Sequence, residues 1–157
     1  MNGGVTPRGG ASLGAPGRTA LEIGAGPPLM GSAAPDHAVS ECTTDSFEFR
    51  AASCRGLQHR ANGTPRQDAF TIESNPNSDA VVVVVCDGVG SLERSAEAAA
   101  FVCRRLPALY WENSDWAVAI SAVSAELAEI ACVNGELVMA TTVVAAAFTG
   151  QHVLVSR

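Results

Sequence analysis

Apolar and polar residues follow a period of two in several short segments of this chain. The segment SFEFRAASCRG alternates aromatic and charged side chains, which predicts a half-buried strand that ends at Gly56. Residues 58–67 contain Asn-Gly and Pro and are predicted to form a loop. DAFTIES, residues 68–74, predicts a second strand, and AVVVVVC, residues 80–86, a third. The β-branched third run is too short for a helix, so we expect a central strand covered on both faces.

The hydrophobic period changes to that of a helix after this strand. Residues 93–110 predict an amphipathic helix, and Pro107 is expected to bend or end it. A second helix is predicted to start at Ser114, a plausible N-cap, and to stop at Asn134-Gly135. Its apolar positions recur at helical spacing: Trp116, Ile120, Val123, Leu127 and Ile130.

The last part of the chain returns to strands. LVMATTVVAAAFTG and HVLVSR predict two strands joined near Gly150. Because strands, helices and strands follow one another in blocks, the pattern predicts an α+β fold with helices over a mainly antiparallel sheet. Residues 1–45 are rich in Gly, Ala, Pro and Ser and are expected to be disordered. They are either a flexible tail or an over-extended start, since Met30 is an equally suitable initiator.

Composition excludes several classes of function. A chain of 157 residues is the size of one domain, and its net charge of -6 with scattered arginines argues against nucleic-acid binding. Five cysteines form neither a C-x-x-C pair nor a metal-type spacing, so a reduced, cytoplasmic protein is expected. No apolar run reaches the roughly 18 residues that a membrane span needs. Oligomeric state is not predicted by these features.

Asp87 stands at the end of the most apolar strand, and four explanations are open for it. Asp87-Gly88 could form a hairpin turn, or GVGSLE could cradle a dinucleotide, although Glu93 occupies the place of the third glycine. Asp87 could also cap a helix or hold the loop. Finally, its carboxylate and the Gly88 carbonyl are the oxygen ligands that Mg²⁺ or Mn²⁺ prefers.

A metal site needs a further carboxylate, and Asp68 is the candidate. It lies at the start of the predicted strand 68–74, whereas Asp87 lies at the end of the next strand. If these strands pair antiparallel, both aspartates come to the same edge of the sheet. Cys86 is expected to be a packed strand residue, because thiolate is too soft for these metals.

Two segments together resemble a known family. SCRGLQHRANGTPRQDAF followed by VVVVVCDGVGS is similar to the opening of the metal-dependent protein phosphatases of the 2C type, in their divergent bacterial branch. The resemblance covers residues 46–157, and MATTVVAAAF matches a family strand that begins Gly-Thr-Thr, with Ala140 in place of the glycine. The matching positions are Ser53, Gly56, His59, Gly63, Gln67, Asp68, Asp87, Gly88, Gly90 and Ser91.

The resemblance implies a β-sandwich flanked by helices and a binuclear Mg²⁺ or Mn²⁺ site. A metal-bridging water would attack the phosphoserine or phosphothreonine of a phosphoprotein substrate. Asp87 would bridge the metals, Gly88 would contribute its carbonyl oxygen, and Asp68 would hold a metal directly or through water. The substrate phosphate would meet Arg60 or Arg66, with His59 either beside it or simply ordering the loop.

The sequence also departs from the family pattern. Gln67 stands where typical members have a glutamate ligand, and no aspartate follows Asp115. We therefore expect a partial, truncated sandwich, residues 46–157 forming the N-terminal portion of the domain, with weak or absent phosphatase activity. The alternative is a non-catalytic, phosphatase-like binding or regulatory module. A half sandwich would also leave apolar faces uncovered, which favours self-association.

Overall fold

The computed structural model of the chain describes residues 36–75, 77–150 and 152–157. Its helices and strands alternate in blocks along the chain. In order they are β1 (His37–Thr43), β2 (Glu48–Cys54), α1 (Leu57–Asn62), β3 (Ala69–Ser74), β4 (Val81–Gly88), α2 (Ser95–Asn113), α3 (Trp116–Ile130), β5 (Cys132–Val133), β6 (Glu136–Leu137), β7 (Thr141–Thr149) and β8 (His152–Ser156).

The principal sheet has the strand order β3-β4-β7-β8, and all its pairings are antiparallel. The valine run of β4 is at its centre, where β-branched side chains fit the pleated surface. β1 and β2 form a separate hairpin. β5 and β6, which have two residues each, form another. The α+β class and the antiparallel strand pairing predicted from the sequence are confirmed.

Helices α2 and α3 cover one face of the principal sheet. Val82, Val84 and Cys86 of β4 are buried together with Val102 and Leu106 of α2. Hydrogen bonds fix this layer at two further points. The Trp111 Nε1 donates to Glu73 at 2.9 Å, and the Trp116 Nε1 donates to the Leu154 carbonyl at 3.2 Å.

The opposite face of the sheet is covered only in part. The rings of Phe47 and Phe49 pack against Phe148 near one end, at centroid distances of 5.5 and 4.8 Å. Towards the other end, Val85 and Val144 are each 50% exposed. The prediction that the valine strand is covered on both faces therefore holds at Val81, which is fully buried, and is wrong at Val85, because the described residues place helices on one side only.

Two predictions about the first half of the chain are corrected. Residues 37–43, predicted to be disordered, form β1, whose seven residues pair with β2. The composition of residues 37–43 does not predict this strand, because its stability comes from pairing with β2. Residues 57–62, within the predicted loop, form α1, which Gly63 ends in the left-handed conformation at φ 70°. The prediction for residues 1–35 lies outside the described residues.

The predicted helix boundaries also change. α2 continues through Pro107 to Asn113, and Pro107 is fully buried within it, so packing overrides the lost hydrogen bond. Asp115, not Ser114, caps α3, because its carboxylate accepts from the amides of Ala117 and Val118.

The Asn134-Gly135 pair lies beyond the end of α3 at Ile130. It is the turn between β5 and β6, with φ of 52° and 83°. Two consecutive positive φ angles are typical of a tight hairpin turn, for which Asn-Gly is favoured. Within the described residues, no helix is both long and apolar enough to cross a membrane.

Candidate metal-binding edge

Asp68 and Asp87 meet at one edge of the principal sheet. Ala69 pairs with Cys86 in the antiparallel register of β3 and β4, so the residues just beyond this pair are brought together. The two side chains are close enough for Asp87 to affect the pKa of the Asp68 carboxyl group. The convergence expected from the two sequence segments is confirmed.

The contact between the two acids changes the protonation of Asp68. Partial burial, the hydrogen bond with Asp87 and the negative charge of Asp87 raise the pKa of the Asp68 carboxyl group. The nearby positive charges of Arg66 and His59 oppose this rise. Two neighbouring carboxyl groups offer oxygen donors that a divalent cation could bind together.

The loop after β4 is held against the Gln67 backbone. A Cβ added to Gly88 would lie 2.9 Å from the Gln67 carbonyl oxygen and 2.8 Å from that of Ser95, so only glycine fits. The buried Ser95 hydroxyl donates within this loop, to the Leu92 carbonyl at 2.8 Å. Close packing of Gly88 is therefore what brings the Gln67-Asp68 segment to the end of β4.

Two threonines of β7 secure the other side of Asp87. The Thr141 hydroxyl donates to the Asp87 carbonyl oxygen at 2.9 Å, and the Thr142 hydroxyl lies 3.4 Å from the same oxygen. Asp87 pairs with Thr142 in the strand register. The sequence placed both threonines at a strand start but gave no sign of this contact, which depends on the pairing of β4 with β7.

The structure excludes two of the four explanations of Asp87. Asp87-Gly88 is not a hairpin turn, since β4 includes both residues and the chain continues into α2. Asp87 is not the N-cap of that helix either, because Arg94 occupies this position. The carboxylate of Asp87 is exposed at the end of the strand, as a ligand would need to be.

The side-chain alternation of β4 shows which face carries the acidic pair. Val82, Val84 and Cys86 face α2, whereas Val85 and Asp87 are exposed. Successive strand residues point to opposite faces. Asp87 therefore belongs to the face of the sheet that the helices do not cover.

The three candidate phosphate ligands have different environments. His59 is partly buried, and its Nδ1 lies 2.8 Å from the Thr64 hydroxyl. The Arg60 Nη2 lies 3.0 Å from the Asp36 carboxylate. Arg66 is buried, and its Nη1 donates to the Asp68 carbonyl at 2.6 Å. The structure thus brings His59 and Arg66 near Asp68 and pairs Arg60 with a different acid.

The donor set fits one hard divalent cation. Two contacting carboxylates suffice for Mg²⁺ or Mn²⁺, because magnesium keeps several of its waters. The Gly88 carbonyl belongs to the same strand end as Asp87. In the part of the chain that the structure describes, no group of three or more His, Cys, Asp or Glu side chains could hold a metal. The described residues therefore fit a mononuclear site and not a binuclear one.

Comparison with known proteins identifies one family. Residues 55–156 match the family model described as Protein phosphatase 2C. The match includes Asp68, Asp87, α2, α3 and all of β8. No curated protein and no solved structure matches the chain.

Proposed function

We propose, because the chain belongs to the protein phosphatase 2C family, that the edge with Asp68 and Asp87 is the metal-binding part of a phosphatase site. The substrate class would be proteins that carry phosphoserine or phosphothreonine. The strand register that brings Asp68 beside Asp87 is the observation that supports this assignment most directly. It joins the two family segments at one place.

Asp68, Asp87 and the Gly88 carbonyl would hold Mg²⁺ or Mn²⁺. When bound, such a cation supplies Lewis-acid chemistry and lowers the pKa of water, which favours attack on a phosphoryl group. The chain itself contributes negative charge, a rigid strand end and the Thr141 hydrogen bond that fixes the Asp87 backbone. These features orient the ligands before a cation arrives.

Phosphate recognition is proposed for the region of His59 rather than for Arg66. The Arg66 side chain is buried and donates to a backbone carbonyl, so it does not present its guanidinium to a substrate. Arg60 would have to leave Asp36 in order to bind phosphate. His59 lies close enough to Asp68 for its charge to affect that carboxyl group.

One observation favours a second candidate function. The described residues provide only two carboxylates at this edge, which is fewer than a binuclear centre needs. We therefore propose weak or absent hydrolysis by this chain alone. A phosphatase-like binding or regulatory module that retains one cation is the alternative.

Calorimetric titration of Mn²⁺ into the purified chain tests the metal site. The wild type should bind one Mn²⁺, Asp87→Ala should abolish binding, and the exposed Glu129→Gln on α3 should bind like wild type. Equal binding by wild type and Asp87→Ala would refute the site. A parallel assay with a phosphothreonine peptide distinguishes the functions, since hydrolysis lost in Asp87→Ala supports an enzyme, and binding without hydrolysis supports the module.

A further inference from the structure

Arg66 is a buried cation directly behind the proposed metal ligands. Only 9% of the residue is exposed, and its Nη1 donates to the Asp68 carbonyl oxygen at 2.6 Å. It also lies near Cys54 and Cys103, between the end of β2 and α2. Burial of a charge is costly unless other groups compensate it, so a buried arginine needs an explanation.

Two of the groups that compensate this charge belong to Asp68. The backbone carbonyl of Asp68 accepts the short hydrogen bond, and the negative charge of its side chain attracts the guanidinium. On the other side of Asp68, the ladder pairing of Ala69 with Cys86 fixes the chain. Arg66 and the sheet therefore hold the Asp68 peptide group from both directions.

We propose that Arg66 is a positioning residue for Asp68. It fixes the Asp68 backbone through the carbonyl and offsets part of the repulsion between the two acids when no cation is bound. This inference rests on the proposed metal site, but the role of Arg66 in holding Asp68 can be measured without metal. It replaces the phosphate-binding role suggested for Arg66 by the sequence.

The effect on metal affinity has a definite expected sign. The positive charge of Arg66 repels a cation, but Asp68 and Asp87 are exposed, so solvent screens that repulsion. Loss of a group that orients a metal ligand costs about 10-fold to 100-fold in affinity. The orienting effect should therefore exceed the charge effect.

The first experiment compares Mn²⁺ affinity in four proteins by calorimetry. Arg66→Gln should bind about 10-fold more weakly than wild type. Arg66→Lys, which keeps the charge and one donor for the carbonyl, should recover most of this loss. Arg105→Gln removes an arginine that pairs with Glu126 away from the site and should bind like wild type. Unchanged affinity in Arg66→Gln, or an equal loss in Arg105→Gln, would overturn the proposal.

The second experiment uses no metal and decides the inference even if wild type does not bind Mn²⁺. Urea unfolding with a chelator present is compared for wild type, Arg66→Gln, Asp68→Asn and the double variant. Asp68→Asn keeps the backbone carbonyl that accepts from Arg66, so this cycle measures the attraction between the Arg66 charge and the Asp68 carboxylate. If Arg66 offsets the repulsion between the two acids, the loss in the folding equilibrium constant caused by Arg66→Gln should be at least about 3-fold smaller in the Asp68→Asn background. An equal loss in both backgrounds would contradict it. If Arg66→Gln does not fold, the same cycle is measured with Arg66→Met, which removes the charge but keeps an unbranched apolar side chain that fills the buried position.

Discussion

Gly88 and Gln67 are in direct backbone contact, although one ends β4 and the other precedes β3. A Cβ on Gly88 would be 2.9 Å from the Gln67 carbonyl oxygen and 2.8 Å from the Ser95 carbonyl oxygen. Neither neighbour is a flexible side chain that could move aside. The acidic edge therefore depends on the absence of a side chain at position 88.

Substitution Gly88→Ala should destabilise the protein and separate the two acids. Overpacking of this kind costs about 1–3 kcal/mol, measured as the free energy of unfolding in urea. Mn²⁺ affinity should fall as well, since Gln67 adjoins Asp68. Gly56→Ala is the matched control, because its φ is -62° and its nearest contact is the His59 ring at 3.6 Å. Equal stability of Gly88→Ala and Gly56→Ala would contradict the close approach.

Replacement of Asp68 should affect stability and metal binding in opposite directions. Asp68→Asn removes the repulsion with Asp87, so without metal the variant should be more stable at pH 7, by about 0.5 kcal/mol after solvent screening. It should also lose Mn²⁺ binding. The control Asp45→Asn, at an exposed turn, should change neither property.

Asp68→Asn should also remove a pH dependence of the free energy of unfolding. Because the pKa of Asp68 is raised in the folded state, its protonated form favours folding, and this contribution is lost as pH rises through that pKa. Wild type should therefore lose stability relative to Asp68→Asn between the ordinary carboxyl pKa range and neutrality. Thermal unfolding of both proteins across this range, with a chelator present, measures the difference. A constant difference at all pH values would argue against a raised pKa of Asp68.

Leu106 is the largest fully buried side chain between α2 and the sheet. Leu106→Ala should lower the free energy of unfolding by about 2–5 kcal/mol, through lost burial and the cavity left behind. Leu137→Ala provides the comparison, because Leu137 in β6 is 53% exposed and should change stability little. Similar losses in both variants would mean that the helical layer is not the main core.

The open face and the edge strand β8 should promote self-association. Val155 in β8 is 67% exposed, and edge strands without charges or proline readily pair with other chains. Val155→Lys should reduce the fraction of oligomer seen in sedimentation velocity. Val118→Lys, on the exposed side of α3, changes the net charge equally but should leave association unchanged. An equal reduction of the oligomer fraction in both variants would show that added charge acts generally, and would contradict a specific role of β8.

Local patterns predicted the parts of the fold that depend on local physics. The valine run 81–85 is a strand because its β-branched residues favour a pleated surface, and Asp68 meets Asp87 because a short turn joins two antiparallel strands. β1 was missed because its pairing with β2 supplies stability that composition does not show. The contact of Thr141 with Asp87 was missed because it joins residues on opposite sides of the helical pair.

That last contact has a consequence for the order of folding. Asp87 and Thr141 are 54 residues apart in sequence, and α2, α3 and the β5-β6 hairpin lie between them. Closing so long a loop costs conformational entropy before any stabilising contact can form. Pairing between β4 and β7 is therefore expected to form slowly. We expect the α2-α3 hairpin to form first and the β4-β7 junction late, which pulsed hydrogen exchange during refolding would measure as later protection of the Thr142 and Val143 amides than of those in α2. The chain would then acquire its cation-binding edge only in the final stage of folding.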